Sequence, residues 1–137
     1  MPASDQDIHR WLEPFGLDPF VRQHVASVLA ALPDAVRNDL MQDGNFHLCD
    51  FEPGVESFLV PMRLADRHKA SRSVVLKRTL RDRSAPFVHW LIAHEFAHAH
   101  LRHAGRTRDE DPEHAADALA AQWGFPKPVN WRAEFRR

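Results

Sequence analysis

The fold is decided by residues 88–105, which read VHWLIAHEFAHAHLRHAG and hold five of the chain's ten histidines. The spacing of the apolar residues predicts one helix here. Ser84 or Ala85 would cap it, Pro86 lies in its first turn, and Gly105 lies just past its end. Because a helix turns by about 100° per residue, its histidines point in several directions. The first question is which of them share a face.

His94 and His98, the outer residues of HEFAH, share one face of the helix. They lie roughly 40° apart and one turn above each other. Two imidazoles in this arrangement can bind a single Zn²⁺, each at about 2.0–2.1 Å. Glu95 lies roughly 100° from His94 and 60° from His98, which is too far round for a third ligand. It is still close enough to reach a water beside the metal, so the sequence predicts Glu95 as a general base.

The other histidines of this helix face away from His94 by roughly 120° or more. They are expected to lie at the surface or to be partly packed: His89, His100 and His103. A metzincin site is excluded, because the glycine and third histidine that it requires are replaced by Leu101 and Ala104.

A second helix is predicted around EHAAD, where Glu113 and Asp117 are four residues apart and share a face. Small residues such as Ala116 would allow this helix to approach a neighbour closely. Two interpretations remain open. The two acids contribute to a metal site with HEFAH, or Glu113 only stabilises the helix N-terminus and Asp117 pairs with Arg102 or Arg106.

HEFAH followed by EHAAD resembles the gluzincin zinc peptidases, which carry HExxH on an active-site helix and ExxxD on a glutamate helix. The short chain is similar to the minigluzincins and to small zinc peptidases associated with phage-type repressor cleavage. The resemblance implies zinc as the cofactor, a peptide or protein substrate, and His94, His98 and Glu113 as metal ligands. It also implies Glu95 as the general base and Asp117 as acceptor of a hydrogen bond from a ligand histidine.

The resemblance is specific only over residues 88–123, and one feature departs from it. Many gluzincins stabilise the oxyanion with a Tyr or His outside the zinc motif, and this chain contains no Tyr. His68, His114 or an arginine within residues 63–83 could take the place of that Tyr or His. The second hypothesis for function is therefore a zinc-stabilised regulatory or binding module with little or no turnover.

Length and composition predict a single domain over residues 1–137. The start of the chain lacks the pattern of a secretory signal, and no apolar stretch reaches the roughly 20 residues that span a bilayer. Cys49 is the single cysteine, so no internal disulfide forms. We expect a cytoplasmic protein that does not contact a membrane.

Positive charge is concentrated in residues 63–83, with eight basic and two acidic side chains. Such a stretch can attract nucleic acid. Since no nucleic-acid motif accompanies it, we expect a solvated surface that contacts the acidic N-terminal part, and nucleic acid is not an expected partner. A DNA contact in a repressor-linked peptidase is the open alternative.

Together these patterns predict an α+β fold, and the resemblance implies that it is of the minimal zincin-like kind. It would have N-terminal helices, a small, mostly antiparallel three-stranded sheet, and then the active-site and glutamate helices. By resemblance, residues 73–77 would form an antiparallel strand that lines the cleft. The strands are expected within residues 45–51, 56–65 and 72–80, and the Pro-rich end of the chain is expected to wrap the surface.

Overall fold

The computed structural model describes residues 4–51, 72–101 and 112–136. No helix within these ranges is both long and apolar enough to cross a membrane. Short 3₁₀ helices follow α1 and β2, at Glu13–Phe15 and Arg78–Asp82. The main elements are, in chain order, α1 (Asp5–Leu12), α2 (Pro19–Ala31), α3 (Asp34–Met41), β1 (Phe46–Phe51), β2 (Arg72–Lys77), α4 (Ala85–Leu101), α5 (Pro112–Gln122) and α6 (Trp131–Arg136).

The predicted N-terminal helices are confirmed, and their capping residues explain where they begin. The Ser4 hydroxyl accepts a hydrogen bond from the Asp7 amide at 3.1 Å, and the Asp7 carboxylate accepts one from the Ser4 amide at 3.2 Å. This reciprocal pair is a capping box. At the start of α2, Asp18 accepts from the Phe20 amide at 3.0 Å, and Pro19 occupies the first helical position.

The predicted fold class was wrong. The described residues are α-rich, with six helices and one two-stranded sheet, and that sheet is parallel. Its register runs from Phe46 opposite Arg72 to Phe51 opposite Lys77. Neither the zincin-like α+β class with its three-stranded, mostly antiparallel sheet nor the antiparallel strand at residues 73–77 is present there.

The physical reason is that a period of two predicts a strand and its buried face, but not the direction of pairing. A parallel pair requires a connection of about a dozen residues or more, and residues 52–71 provide that length. The third predicted strand, residues 56–65, lies outside the described residues.

Helix α4 is the central element of the fold. It packs against α2, α3, β2 and α5, so it is apolar on most faces, as a surrounded helix must be. Phe96 and Ile92 are fully buried, with 0% exposure. The other buried residues of α4 are Phe87, Val88, Trp90, Ala93, His94, Ala97 and Ala99.

A buried arginine fixes the C-terminal end of α4. Arg72, 7% exposed, donates to the Asp39 carboxylate at 2.7 Å and to the Asp43 carboxylate at 2.9 Å. It also donates to the Ala99 carbonyl at 3.3 Å, where a cation is favoured by the helix dipole. This contact ties β2 to α3 and α4.

The C-terminal segment folds back onto α4 and forms a helix that the sequence interpretation missed. Gly124 has φ 102°, a left-handed conformation that favours glycine and ends α5. The Phe125 amide then donates to the Ala120 carbonyl at 2.9 Å. Further on, the buried Glu134 carboxylate accepts from the Ser84 amide at 3.4 Å, just before α4 begins. The segment is thereby attached to the start of α4.

Candidate metal centre

Helices α4 and α5 bring three predicted ligand side chains together. His94 Nε2 lies 2.9 Å from Glu113 Oε1 and 3.1 Å from His98 Nε2. His98 Nε2 lies 3.2 Å from Glu113 Oε2. Across the described residues, these three form the one cluster of at least three metal-ligating side chains, with all ligand atoms within 4.8 Å of one another.

These spacings fit a divalent cation. Ligand atoms at about 2.0–2.1 Å from one tetrahedral ion lie about 3.3 Å from each other. The distances of 2.9, 3.1 and 3.2 Å between the three side chains, counted over both carboxylate oxygens of Glu113, come close to that value. The imidazole of His98 is suited to binding a metal ion. Burial lowers its pKa most, the charge of His94 lowers it further, and the neutral form that binds metals is thereby favoured.

The hydrogen-bond pattern of His94 supports the same fit. Its Nδ1 lies 2.8 Å from Asp117 Oδ1 and is the natural position for the proton of a neutral imidazole. Its Nε2 then presents a lone pair to the Glu113 carboxylate, so that two acceptors face each other. A cation between them, or a second proton on His94, relieves this conflict.

Both carboxylate oxygens of Asp117 have hydrogen-bond partners. Oδ1 accepts from His94 Nδ1 at 2.8 Å and from Trp90 Nε1 at 3.2 Å, while Oδ2 accepts from Lys127 Nζ at 2.9 Å. Burial alone would raise the pKa of Asp117, but the hydrogen bonds from Lys127 and His94 outweigh burial and lower it. The carboxylate is therefore ionised at neutral pH. Arg102 and Arg106, the alternative partners, lie outside the described residues.

Glu95 is half-buried beside the three ligands. Burial raises the pKa of its carboxyl group; His94 opposes this shift, and the negative charge of Glu113 adds to it. A pKa moved towards neutrality suits a group that accepts a proton and then releases it.

A cavity of about 280 Å³ opens next to these residues. Of the residues that line it, Lys127 and Trp131 come from the C-terminal segment and were missed by the sequence interpretation. Pro126 and Pro128 flank Lys127 and predict a restricted backbone, but nothing in that pattern indicates which acid the lysine contacts. The lining residues are Trp90, Leu91, His94, Glu95, Glu113, Asp117, Lys127 and Trp131.

The remaining histidines of α4 point away from the cluster, as predicted. His89 Nε2 lies 2.8 Å from His24 Nδ1, and burial lowers the pKa of both groups. His100 Nδ1 lies 2.8 Å from the Asp39 carboxylate. His103 lies outside the described residues.

Of the proposed oxyanion-stabilising groups, His114 is exposed and does not line the cavity. His68 lies outside the described residues. Among the described side chains that line the cavity, the cationic one is Lys127.

Comparison of the chain with protein-family models, curated proteins and solved structures gave no significant match. The resemblance to gluzincins therefore remains a prediction from HEFAH and EHAAD, and the function is inferred from the site itself.

Proposed function

We propose that this chain is a zinc-dependent peptidase that hydrolyses peptide bonds, with Glu95 as general base. One observation carries the proposal: His94, His98 and Glu113 converge from two helices, and Glu95 lines the same cavity. Structural zinc sites have four protein ligands, whereas catalytic sites have three and keep one position open. The cluster found among the described residues supplies three.

Two imidazoles and one carboxylate suit zinc, although they also accept other divalent ions. When bound, the ion supplies Lewis acidity and activates water. The choice of peptide bonds as substrate rests on the resemblance of HEFAH and EHAAD to the gluzincin motifs. A cytoplasmic location is part of the proposal, because a single, buried Cys49 fits a reducing compartment.

The chain's own residues orient the His94 imidazole and transfer the proton of the attacking water. Asp117 accepts from His94 Nδ1 and so keeps the imidazole in one tautomer, with Nε2 directed at Glu113. The Glu95 carboxylate takes a proton from the attacking water as the water oxygen bonds to the peptide carbonyl carbon. Glu95 then gives this proton to the amide nitrogen as the carbon–nitrogen bond breaks, which releases a neutral amine.

Glu95→Gln tests this role, because it preserves the size of the side chain but removes its basicity. Loss of a general base typically slows turnover by about 10²–10⁴-fold. We expect a loss of this size in a casein or peptide-library digest with added Zn²⁺, with unchanged zinc content. Glu13→Gln is the matched control, since Glu13 is exposed, with its side chain 71% accessible. Wild-type turnover in the Glu95 variant would contradict the proposed role.

The same digest separates the peptidase from the second candidate, a zinc-stabilised regulatory or binding module. A wild-type chain that binds zinc, unfolds on chelation and cleaves nothing in the library would favour the module.

A further inference from the structure

Lys127 reaches the metal centre from the segment that follows α5. Its ammonium lies 2.9 Å from Asp117 Oδ2, 4.1 Å from the centre of a Trp131 ring and 5.6 Å from that of a Trp90 ring. The lysine is thus held by one ion pair and by the faces of two indoles. Helix α6, which carries Trp131, is attached to the start of α4 through Glu134.

A continuous chain of contacts connects Lys127 to the metal ligand His94. Lys127 holds Oδ2 of Asp117, and Oδ1 of the same carboxylate lies 2.8 Å from His94 Nδ1. A carboxylate held at both oxygens cannot rotate without breaking one of these contacts. These contacts link the His94 ring to a residue ten positions beyond Asp117, outside both helices of the site.

We propose that Lys127 is a positioning residue of the metal centre, which acts through Asp117 on the orientation of His94. This inference rests on the proposed zinc site but not on peptide hydrolysis. It extends the functional unit beyond HEFAH and EHAAD to the Pro-rich segment around Lys127.

Two effects of the lysine oppose each other. Its positive charge repels a divalent cation, while its hydrogen bond fixes the carboxylate that holds His94. The Lys127 side chain is 35% exposed, so water screens its charge. The hydrogen bond acts at contact distance, where screening is weaker, so we expect the positioning effect to be the larger one.

The test is the zinc dissociation constant, measured by chelator competition at fixed pH on the full chain. Substitution of partners around metal ligands typically costs about 10–100-fold in affinity. We expect Lys127→Met to weaken zinc binding by about tenfold, at the low end of that range because it acts indirectly. Lys127→Arg retains the charge and the donors and is expected to restore most of the affinity.

Lys77→Met is the matched control, since Lys77 is an exposed lysine at the end of β2. It is expected to bind zinc as the wild type does. Lys127→Met should also stay fully folded at the assay temperature when metal-free, as this control does. If the lysine acts through Asp117, then Lys127→Met added to Asp117→Asn should cause no further loss of affinity.

Three results would overturn the inference: wild-type zinc affinity in Lys127→Met, losses that add fully in the double variant, or a loss explained by unfolding of the metal-free variant. A wild-type chain that binds no zinc would remove both this inference and the proposed function. Tight zinc binding without cleavage would remove only the proposed function.

Discussion

Close packing of α5 on α4 is what places Glu113 beside the two histidines, and Ala116→Leu tests that dependence. Ala116 lies between Glu113 and Asp117 in sequence and is fully buried, with 0% exposure. Leucine adds three carbon atoms at a position closed to solvent, and overpacking of this kind costs about 1–3 kcal/mol. Relief of the clash moves α5 away from α4 and takes the Glu113 carboxylate with it.

The two Nε2 atoms lie 3.1 Å apart, and each lies 2.9 or 3.2 Å from one of the two Glu113 carboxylate oxygens. A metal site tolerates deviations of only about 0.2 Å in its ligand distances. We therefore expect Ala116→Leu to lower the urea midpoint of the metal-free chain and to weaken zinc binding by about tenfold or more. The control is Ala118→Leu on the exposed side of the same helix, where surface substitutions stay within about 0.5 kcal/mol. Wild-type stability and zinc affinity in Ala116→Leu would refute the reasoning.

Two further predictions concern stability. Burial lowers the folded-state pKa of His24 and of His89, so the unfolded chain binds more protons below its own value of about 6.5. Folding stability is therefore lost as the pH decreases through this range. Urea midpoints should decrease between about pH 6.5 and pH 5 more steeply in the wild type than in a His24→Gln/His89→Gln variant, and equal slopes would contradict this. Arg72→Met removes the guanidinium that the partly buried carboxylates of Asp39 and Asp43 share, and should cost about 1–3 kcal/mol in urea unfolding. A cost near zero would show that the arginine does not fix the end of α4.

The helices were predictable because their signals are local. Ser4, Asp18 and Pro19 mark helix starts through contacts within a few residues, and Gly124 marks an end through its backbone conformation. The pairing of His94 with His98 on one face, and of Glu113 with Asp117 on another, was also predictable, whereas the meeting of the two faces was implied only by the resemblance. Residues four apart share a helical face whatever the rest of the fold does.

The sheet direction and the role of the C-terminal segment were not predictable, because both depend on contacts between distant parts of the chain. Alternation in β1 and β2 is the same for parallel and antiparallel pairing. Lys127 contacts Asp117 from a segment that also packs through Trp131 and is attached to the start of α4 through Glu134. A lysine between two prolines carries no sequence signal for such a contact.

The most direct test of the central claim is anomalous diffraction at the zinc absorption edge from crystals of the zinc-loaded chain. We predict a single anomalous peak about 2.0–2.2 Å from His94 Nε2, His98 Nε2 and a Glu113 carboxylate oxygen, with Glu95 outside the coordination shell. A map without a peak between these side chains, or with the Glu113 carboxylate turned away from the histidines, would contradict the account.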